Sequence, residues 1–291
     1  MEKFIDMVIP TVDNTDQVWR KAFIDYCRFN GLQNRIADIQ CDRYDDKLKL
    51  INYQLKLINK NMPFIRNIYL LLMNREQAPK DLPSNVKIVY HAQFIPQKHL
   101  PTFNSTTIEM FLWNIKDLGE YFIYANDDML PMKQLKESDF FTEDKHIKIE
   151  WWNEDLRKCG TMFRQQCYNS YNHTMKRLGK TCEPYLFLRP AHSFTPMVKS
   201  HCKQAFNLLQ DLITKHIRGL RTEYQYNQYI YPIFEHEVYG TYKSDIDFLY
   251  TQCEKGIDLD HDIVCLNIVP SRYEKELKIE LEKRIWVLRY L

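Results

Sequence analysis

The sequence predicts a mixed α/β fold, with a mostly parallel sheet flanked by helices. Three observations carry that prediction. Short apolar runs at residues 4–10, 68–72, 86–90 and 121–125 have the length and continuity of strands buried on both faces. Between them lie stretches with apolar residues at helical spacing, notably residues 19–29 and the stripe Leu48, Ile51, Leu55 and Ile58. Strand–helix alternation of this kind is what a parallel sheet needs, because parallel neighbours are joined by crossovers. Finally, 291 residues with 45% hydrophobic and 14% aromatic content can bury the core of one large domain. A single domain over residues 1–291 is therefore expected. The loosely patterned residues 142–184 read as a helical, aromatic-rich insertion or cap.

Composition excludes several classes. A formal net charge of +2 is not the signature of a nucleic-acid binder. Seven glycines and twelve prolines make no low-complexity linker, and no repeat is present. The eight cysteines are scattered, without a Cys-x-x-Cys pair, which favours reduced, mostly buried thiols. MEKFIDMVIP is too short and too charged to read as a signal peptide, and no apolar run approaches a membrane span. The expected setting is cytoplasmic, with room for peripheral attachment to a membrane assembly.

Taken in order, the first strand stops at Pro10 and leads into Thr11-Val12-Asp13-Asn14-Thr15-Asp16. Thr15 or Asp16 can cap the next helix, and Asp13 falls near a strand's carboxyl end, where ligands of open α/β sheets bind. Residues 42–46 (DRYDD) precede the second helix. The most informative stretch is residues 100–128: a turn-rich LPTFNS, then apolar Ile108, Phe111, Leu112 and Ile115 at helical spacing, then YFIYA ending in Asn126-Asp127-Asp128. A helix over 106–118 is expected, capped by Thr106 or Thr107. Asn-Asp-Asp is an ordinary way to leave a strand. Yet two adjacent carboxylates at the end of a buried strand are costly unless donors or a cation satisfy them. Further on, residues 150–154 (EWWNE) read either as a packed aromatic corner or as a platform for a sugar face. His192 sits in a Pro-flanked loop before a helix through 212, and Arg221 precedes an aromatic-rich helix ending at Gly240. Residues 262–267 read as a strand, and the mixed-charge C-terminal helix as structural.

LPTFNS, a helix and FIYANDD together resemble the second conserved region of the Stealth family. Those are sugar-1-phosphate transferases of microbial capsule synthesis, with the animal lysosomal-enzyme N-acetylglucosamine-1-phosphotransferase as a relative. That region extends back to Arg43, although the loop at 74–79 departs from the family's usual Asn/Asp-Gly-Gln. Residues 11–16 resemble its first region, with Thr11 where Trp is usual and Asn14 where Gly is usual. Residues 189–196 and Arg221 resemble the third. Cys265-Leu266-Asn267 resembles the fourth, where Ile268 replaces an acid; Asn267 alone, or a nearby acid such as Asp260 or Asp262, then has to serve.

The resemblance implies a Rossmann-like or glycosyltransferase-like sheet and a phosphoryl transfer. A glycan hydroxyl attacks the β-phosphorus of a nucleotide-sugar, UDP-linked by expectation, and nucleoside monophosphate leaves. It implies His192 as general base; Asp13, with Asn104, orienting donor or metal; Asp127 as catalytic; Asp127 or Asp128 holding Mg²⁺ or Mn²⁺; and Arg43 and Arg221 clamping phosphate. Ser105 and Asn267 complete the expected substrate-binding set. The expected partners are a nucleotide-sugar donor and a glycan or polysaccharide acceptor, with no nucleic acid. Peripheral association with a membrane capsule-assembly complex is compatible with this. A metal-dependent glycosyltransferase releasing nucleoside diphosphate, and an inactive glycan-binding subunit, are the competing readings.

Overall fold

A computed structural model of the chain describes residues 5–40, 48–155, 160–182 and 186–286. Strand β1 (Ile5–Pro10) buries Ile5, Met7, Val8 and Ile9 completely. Helix α1 (Gln17–Phe29) buries Trp19, Phe23 and Cys27 at four-residue steps; of the two candidate caps it is Asp16 that accepts the Val18 and Trp19 N–H groups. Helix α2 (Leu50–Asn61) follows, then β2 (Ile65–Leu72), which starts three residues earlier than the sequence suggests, and β3 (Val86–Tyr90).

Helix α3 (Ser105–Glu109) is a single turn rather than the helix expected over 106–118, and its cap is Asn104, not Thr106 or Thr107. Phe111, Leu112 and Ile115 are buried as their spacing suggests, but tertiary bonds end the helix. The Trp113 indole donates to the Met110 carbonyl, and the Asn114 amide to that of Phe94. Next come β4 (Tyr121–Tyr124), β5 (Met129–Pro131), β6 (Lys148–Ile149), β7 (Trp151–Asp155), α4 (Met162–Arg177) and β8 (Leu186–Pro190). The chain ends through β9 (Thr195–Val198), α5 (Lys199–His216), α6 (Ile230–Val238), β10 (Tyr242–Lys243), β11 (Phe248–Thr251), β12 (Ile263–Leu266) and α7 (Glu274–Trp286).

The central sheet has the order β3-β2-β1-β4-β9. Its first four strands run parallel, as the alternation of elements requires, and β9 closes the edge antiparallel to β4. Successive residues of β1 face opposite ways: Val8 packs with α5 and α6 residues, Met7 and Ile9 with Ile51, Leu55 and Ile58 of α2. A smaller sheet, β11-β12-β5, lies beside it, with α7 docked through Leu277 and Leu281. Within the stretch read as an insertion, β7 pairs with β8, and α4 packs through Cys167 against Phe187, Tyr229 and Ile233. The Trp152 ring stacks on Phe248 and carries the Arg189 guanidinium on its other contact, so it behaves as a packed corner.

Among the described residues, Cys27, Cys167, Cys202, Cys253 and Cys265 are free and buried, and Cys182 is free and half-buried. Cys41 and Cys159 lie outside the described residues. No described helix is long and apolar enough to cross a membrane.

Candidate active site

Because β1 and β4 are parallel neighbours, their carboxyl ends emerge side by side. The turn Asn126-Asp127-Asp128 after β4 is held from below by Gln54 of α2. Its fully buried amide donates to the carbonyls of Asn126 (2.7 Å) and Met129 (2.6 Å). From the side, the Leu266 N–H of β12 donates to the Asp128 carbonyl at 2.9 Å. Thr11, just past β1, donates its hydroxyl to Asp127 Oδ2 at 2.6 Å. The residue standing in for the family's tryptophan is thus a direct partner of the carboxylate pair.

His192 enters the same place from the opposite direction, in the loop between β8 and the antiparallel β9. Its Nε2 lies 3.3 Å from the Asn126 amide nitrogen, and its Nδ1 lies 3.5 Å from the Tyr229 hydroxyl. The Tyr124 hydroxyl lies 2.9 Å from Asn126 Oδ1. With that oxygen accepting from Tyr124, the amide turns its N–H groups to His192. This assigns the lone pair to Nε2 and the ring proton to Nδ1. Part of the ring reaches solvent, but protein atoms crowd it closely. That burial pulls His192 below the ordinary histidine range; the Asp128 carboxylate opposes the shift, and the charges of Arg189 and Arg221 reinforce it. The result is a neutral imidazole with a basic nitrogen beside two carboxylates.

A second group of side chains adjoins the first through Tyr124. Arg221 donates to Ser105 Oγ at 2.5 Å. Buried Glu109 accepts from the Gln228 N–H at 3.1 Å and lies 3.2 Å from the Tyr124 hydroxyl. Burial raises the Glu109 carboxyl, while the Arg221 charge and the bonds from Gln228, Ser105 and Tyr124 pull it back. Glu109 therefore anchors Arg221 and Ser105 instead of facing solvent. Asn104 sits behind them, 1% exposed. Its Oδ1 caps α3 at Thr106, and its Nδ2 donates to the Arg218 carbonyl (3.1 Å) and Gln225 Oε1 (3.0 Å). With its amide committed to the loop, Asn104 acts by placing Ser105 and Arg221. Gly219 makes that loop approach possible: a Cβ there would stand 2.5 Å from the Tyr26 ring.

Asp13 lies in the loop begun by Thr11. Its carboxylate accepts from the Thr15 N–H (2.9 Å) and hydroxyl (2.6 Å) and from Lys49 Nζ (2.7 Å). Burial works to raise its pKa, but the Lys49 and Thr15 bonds outweigh it and hold the group below the ordinary range. Lys49 heads α2 in the left-handed conformation, at φ 53°. Asn267 follows β12 and is exposed, one residue beyond the Leu266–Asp128 bond. Asp260 and Asp262, considered as substitutes for an acid at Ile268, lie at the other end of β12. There Asp262 accepts the Asp247 N–H and Asp260 pairs with Lys133, so neither reaches the site. Arg43 lies outside the described residues.

The site thus gathers Asp127, Asp128 and His192, with Ser105 and Arg221 beyond Tyr124 and Asp13 on the adjoining loop. Asp128 Oδ1 is buried without a hydrogen-bond partner among the described residues. An orphaned carboxylate oxygen is what a hard divalent cation uses, and Mg²⁺ takes one or two carboxylates plus substrate phosphates. The carboxylates fit that requirement.

Residues 43–149 match conserved region 2 of the Stealth proteins. A capsular polysaccharide phosphotransferase of Neisseria meningitidis serogroup B is 30% identical over 228 residues, covering 74% of this chain and 59% of the relative. One from Actinobacillus pleuropneumoniae is 33% identical over 201 residues, covering 67% and 53%. The chain belongs to the Stealth family. An exopolysaccharide phosphotransferase of Lactiplantibacillus plantarum is 34% identical over 143 residues, 48% of this Stealth chain and 40% of the relative. The chain thus spans about half the length of these curated Stealth relatives. The matched region holds Lys49, Ser105, Glu109 and both carboxylates of the turn, whereas Asp13, His192 and Arg221 reach them from outside it.

Sequence reasoning missed Thr11, Lys49, Glu109, Tyr229 and Cys265 as members of the site. Glu109 did leave a signal: a lone acid inside the apolar stripe Ile108, Phe111, Leu112 and Ile115. The others acquire their place only through contacts across the fold.

Proposed function

We propose that this chain transfers sugar-1-phosphate from a nucleotide-sugar, probably best tested with UDP-linked donors, to a glycan hydroxyl in capsule or exopolysaccharide synthesis. The observation that carries this reading is the neutral His192, with Nε2 as its basic nitrogen, set beside the Asp127–Asp128 turn. Names of relatives that are phosphotransferases of surface polysaccharides support it.

In this reading the acceptor hydroxyl gives its proton to His192 Nε2 as its oxygen bonds to the donor's β-phosphorus. The bond from that phosphorus to the bridging oxygen breaks, and nucleoside monophosphate leaves with the electron pair. The bond from the sugar's anomeric carbon to its oxygen stays intact. Arg221, braced by Ser105 and Glu109, supplies positive charge to phosphate oxygens. Asp127 and Asp128 would hold the Mg²⁺ or Mn²⁺ that neutralises the diphosphate. Tyr229 keeps the imidazole proton on Nδ1, and Thr11 holds Asp127 in place. Asp13, tied to Lys49, shapes the donor side. The work is assigned to the cytoplasmic side, with the chain peripheral to a membrane assembly.

The test is the nucleotide product. A panel of UDP-sugars with a glycan acceptor is expected to release UMP, dependent on Mg²⁺ and lost in Asp128→Ala. Release of UDP instead would make the chain a glycosyltransferase.

A further inference from the structure

The oxygen-only chemistry of Mg²⁺ leaves two neighbouring donors unexplained. A carboxylate oxygen of Asp128, a ring nitrogen of His192 and the Cys265 sulfur all lie within 4.8 Å of one another. They come from three elements: the turn after β4, the loop before β9, and β12. The backbone register builds the grouping. Cys265 pairs with Met129 across β12 and β5, and Leu266 N–H bonds the Asp128 carbonyl, so the thiol and the carboxylate are brought to one point. The Cys265 side chain is 1% exposed, and Asp128 Oδ1 is buried and without a partner.

We propose that Asp128, His192 and Cys265 form a binding site for a thiophilic divalent cation of the Zn²⁺ class, whose capture switches the enzyme off. The chemistry of the donors makes the choice. Thiolate sulfur and imidazole nitrogen suit Zn²⁺, whereas Mg²⁺ takes oxygen and has little use for sulfur. Donors of a tetrahedral zinc site stand about 3.5 Å apart, so side-chain closure of roughly 1 Å suffices. Binding releases the Cys265 thiol proton to solvent. The ion's two positive charges are then balanced by one carboxylate and one thiolate, with imidazole neutral and water as the fourth ligand. The nearby cations do not stand against this, since Arg189 is paired with Glu154 at 2.5 Å and Arg221 with buried Glu109. Inhibition rests on the functional reading above: the ion occupies the imidazole and carboxylate that the transfer uses.

The test uses the full chain and Co²⁺ as a spectroscopic probe. Co²⁺ should bind one per chain with a thiolate-to-cobalt charge-transfer band and the visible bands of tetrahedral cobalt, and Zn²⁺ should displace it. Cys265→Ser should abolish the charge-transfer band, with circular dichroism confirming the fold and Cys265→Ala replacing it should serine disrupt β12. His192→Ala, in a different element, should weaken Co²⁺ binding at least tenfold. Zn²⁺ should block nucleotide release, and Cys265→Ser should need at least tenfold more Zn²⁺ for the same block. A cobalt-saturated wild type without the band, or a band that persists in both Cys265 variants, overturns the proposal. The two readings fail separately. A band in a chain that transfers nothing removes the transferase, and transfer without a band removes the metal site.

Discussion

The two ends of the central sheet treat buried acids in opposite ways. At the amino end, fully buried Asp6 receives Arg66 at 2.9 and 2.6 Å, the Asn67 N–H and amide at 3.2 and 3.1 Å, and the Gly119 N–H at 2.7 Å. Such a carboxylate is finished: it fixes where β1, β2 and the turn before β4 begin. At the carboxyl end, Asp128 keeps an oxygen without a partner, and the imidazole opposite it is held neutral. One end spends its donors on stability and the other withholds them. Satisfied polar groups hold a fold together, and unsatisfied ones mark where a ligand is expected.

The largest expected effect is at the open end. His192→Ala should slow nucleotide release by about 10²–10⁴-fold, the usual contribution of a positioned base, with little change in melting temperature. In the wild type the rate should fall on acidification only below the ordinary histidine range, because burial lowers the His192 pKa and keeps Nε2 unprotonated. Asp128→Asn should lose activity comparably yet unfold no more readily. A large loss of stability there would break the contrast between the ends.

At the closed end, Asp6→Ala should destabilise by about 3 kcal/mol, since it strands Arg66 and three other donors; the half-exposed guanidinium keeps the loss at the low end for buried pairs. Turnover per folded molecule should hardly change. Chemical denaturation and a rate corrected for folded fraction check both.

His91 gives a pH-dependent test away from both ends. Burial lowers its pKa to about 4, and neither ring nitrogen has a partner among the described residues. Between the unfolded value and this one, only the unfolded chain takes up the proton. Stability should therefore be full above pH ~6.5 and fall by up to about 3 kcal/mol as pH drops toward 4. His91→Leu should flatten that slope in denaturation curves taken across the range.

The smallest effect is expected at Asn104→Ala, which removes the α3 cap and two bonds to the Arg218–Gln225 loop. It should cost about 1–2 kcal/mol and raise KM for the nucleotide-sugar more than it lowers kcat, because Arg221 is misplaced. An unchanged KM would mean that the loop holds Arg221 without it.

Continuous apolar runs made the four parallel strands legible, and the acid pair after YFIYA located the candidate site. Burial was read more reliably than conformation: Ile108, Phe111, Leu112 and Ile115 are all inside, but only one turn of helix carries them. Periodicity reports which side chains face inward, and tertiary bonds decide how the backbone gets there. His192 and Arg221 entered through family resemblance, because one histidine or arginine in a loop carries no pattern of its own. Lys49 and Cys265 were illegible for a related reason. Lys49 meets Asp13 from 36 residues away, and Cys265 meets Asp128 only once β12 has paired with β5.

The antiparallel pairing of β9 with β4 has a further consequence. Tyr124 stands opposite Thr195, with Asp127 three residues beyond the first and His192 three residues before the second. The intervening chain leaves from one strand of this pair and returns to the other. Its length and folding can therefore change without altering the spacing between acid and imidazole. Insertions between β5 and β8 should be tolerated by the reacting groups and felt by whatever those segments touch, whereas one residue added between His192 and Thr195 would displace the imidazole by about one strand step, roughly 3.4 Å. Variation in what is recognised is thereby uncoupled from the chemistry.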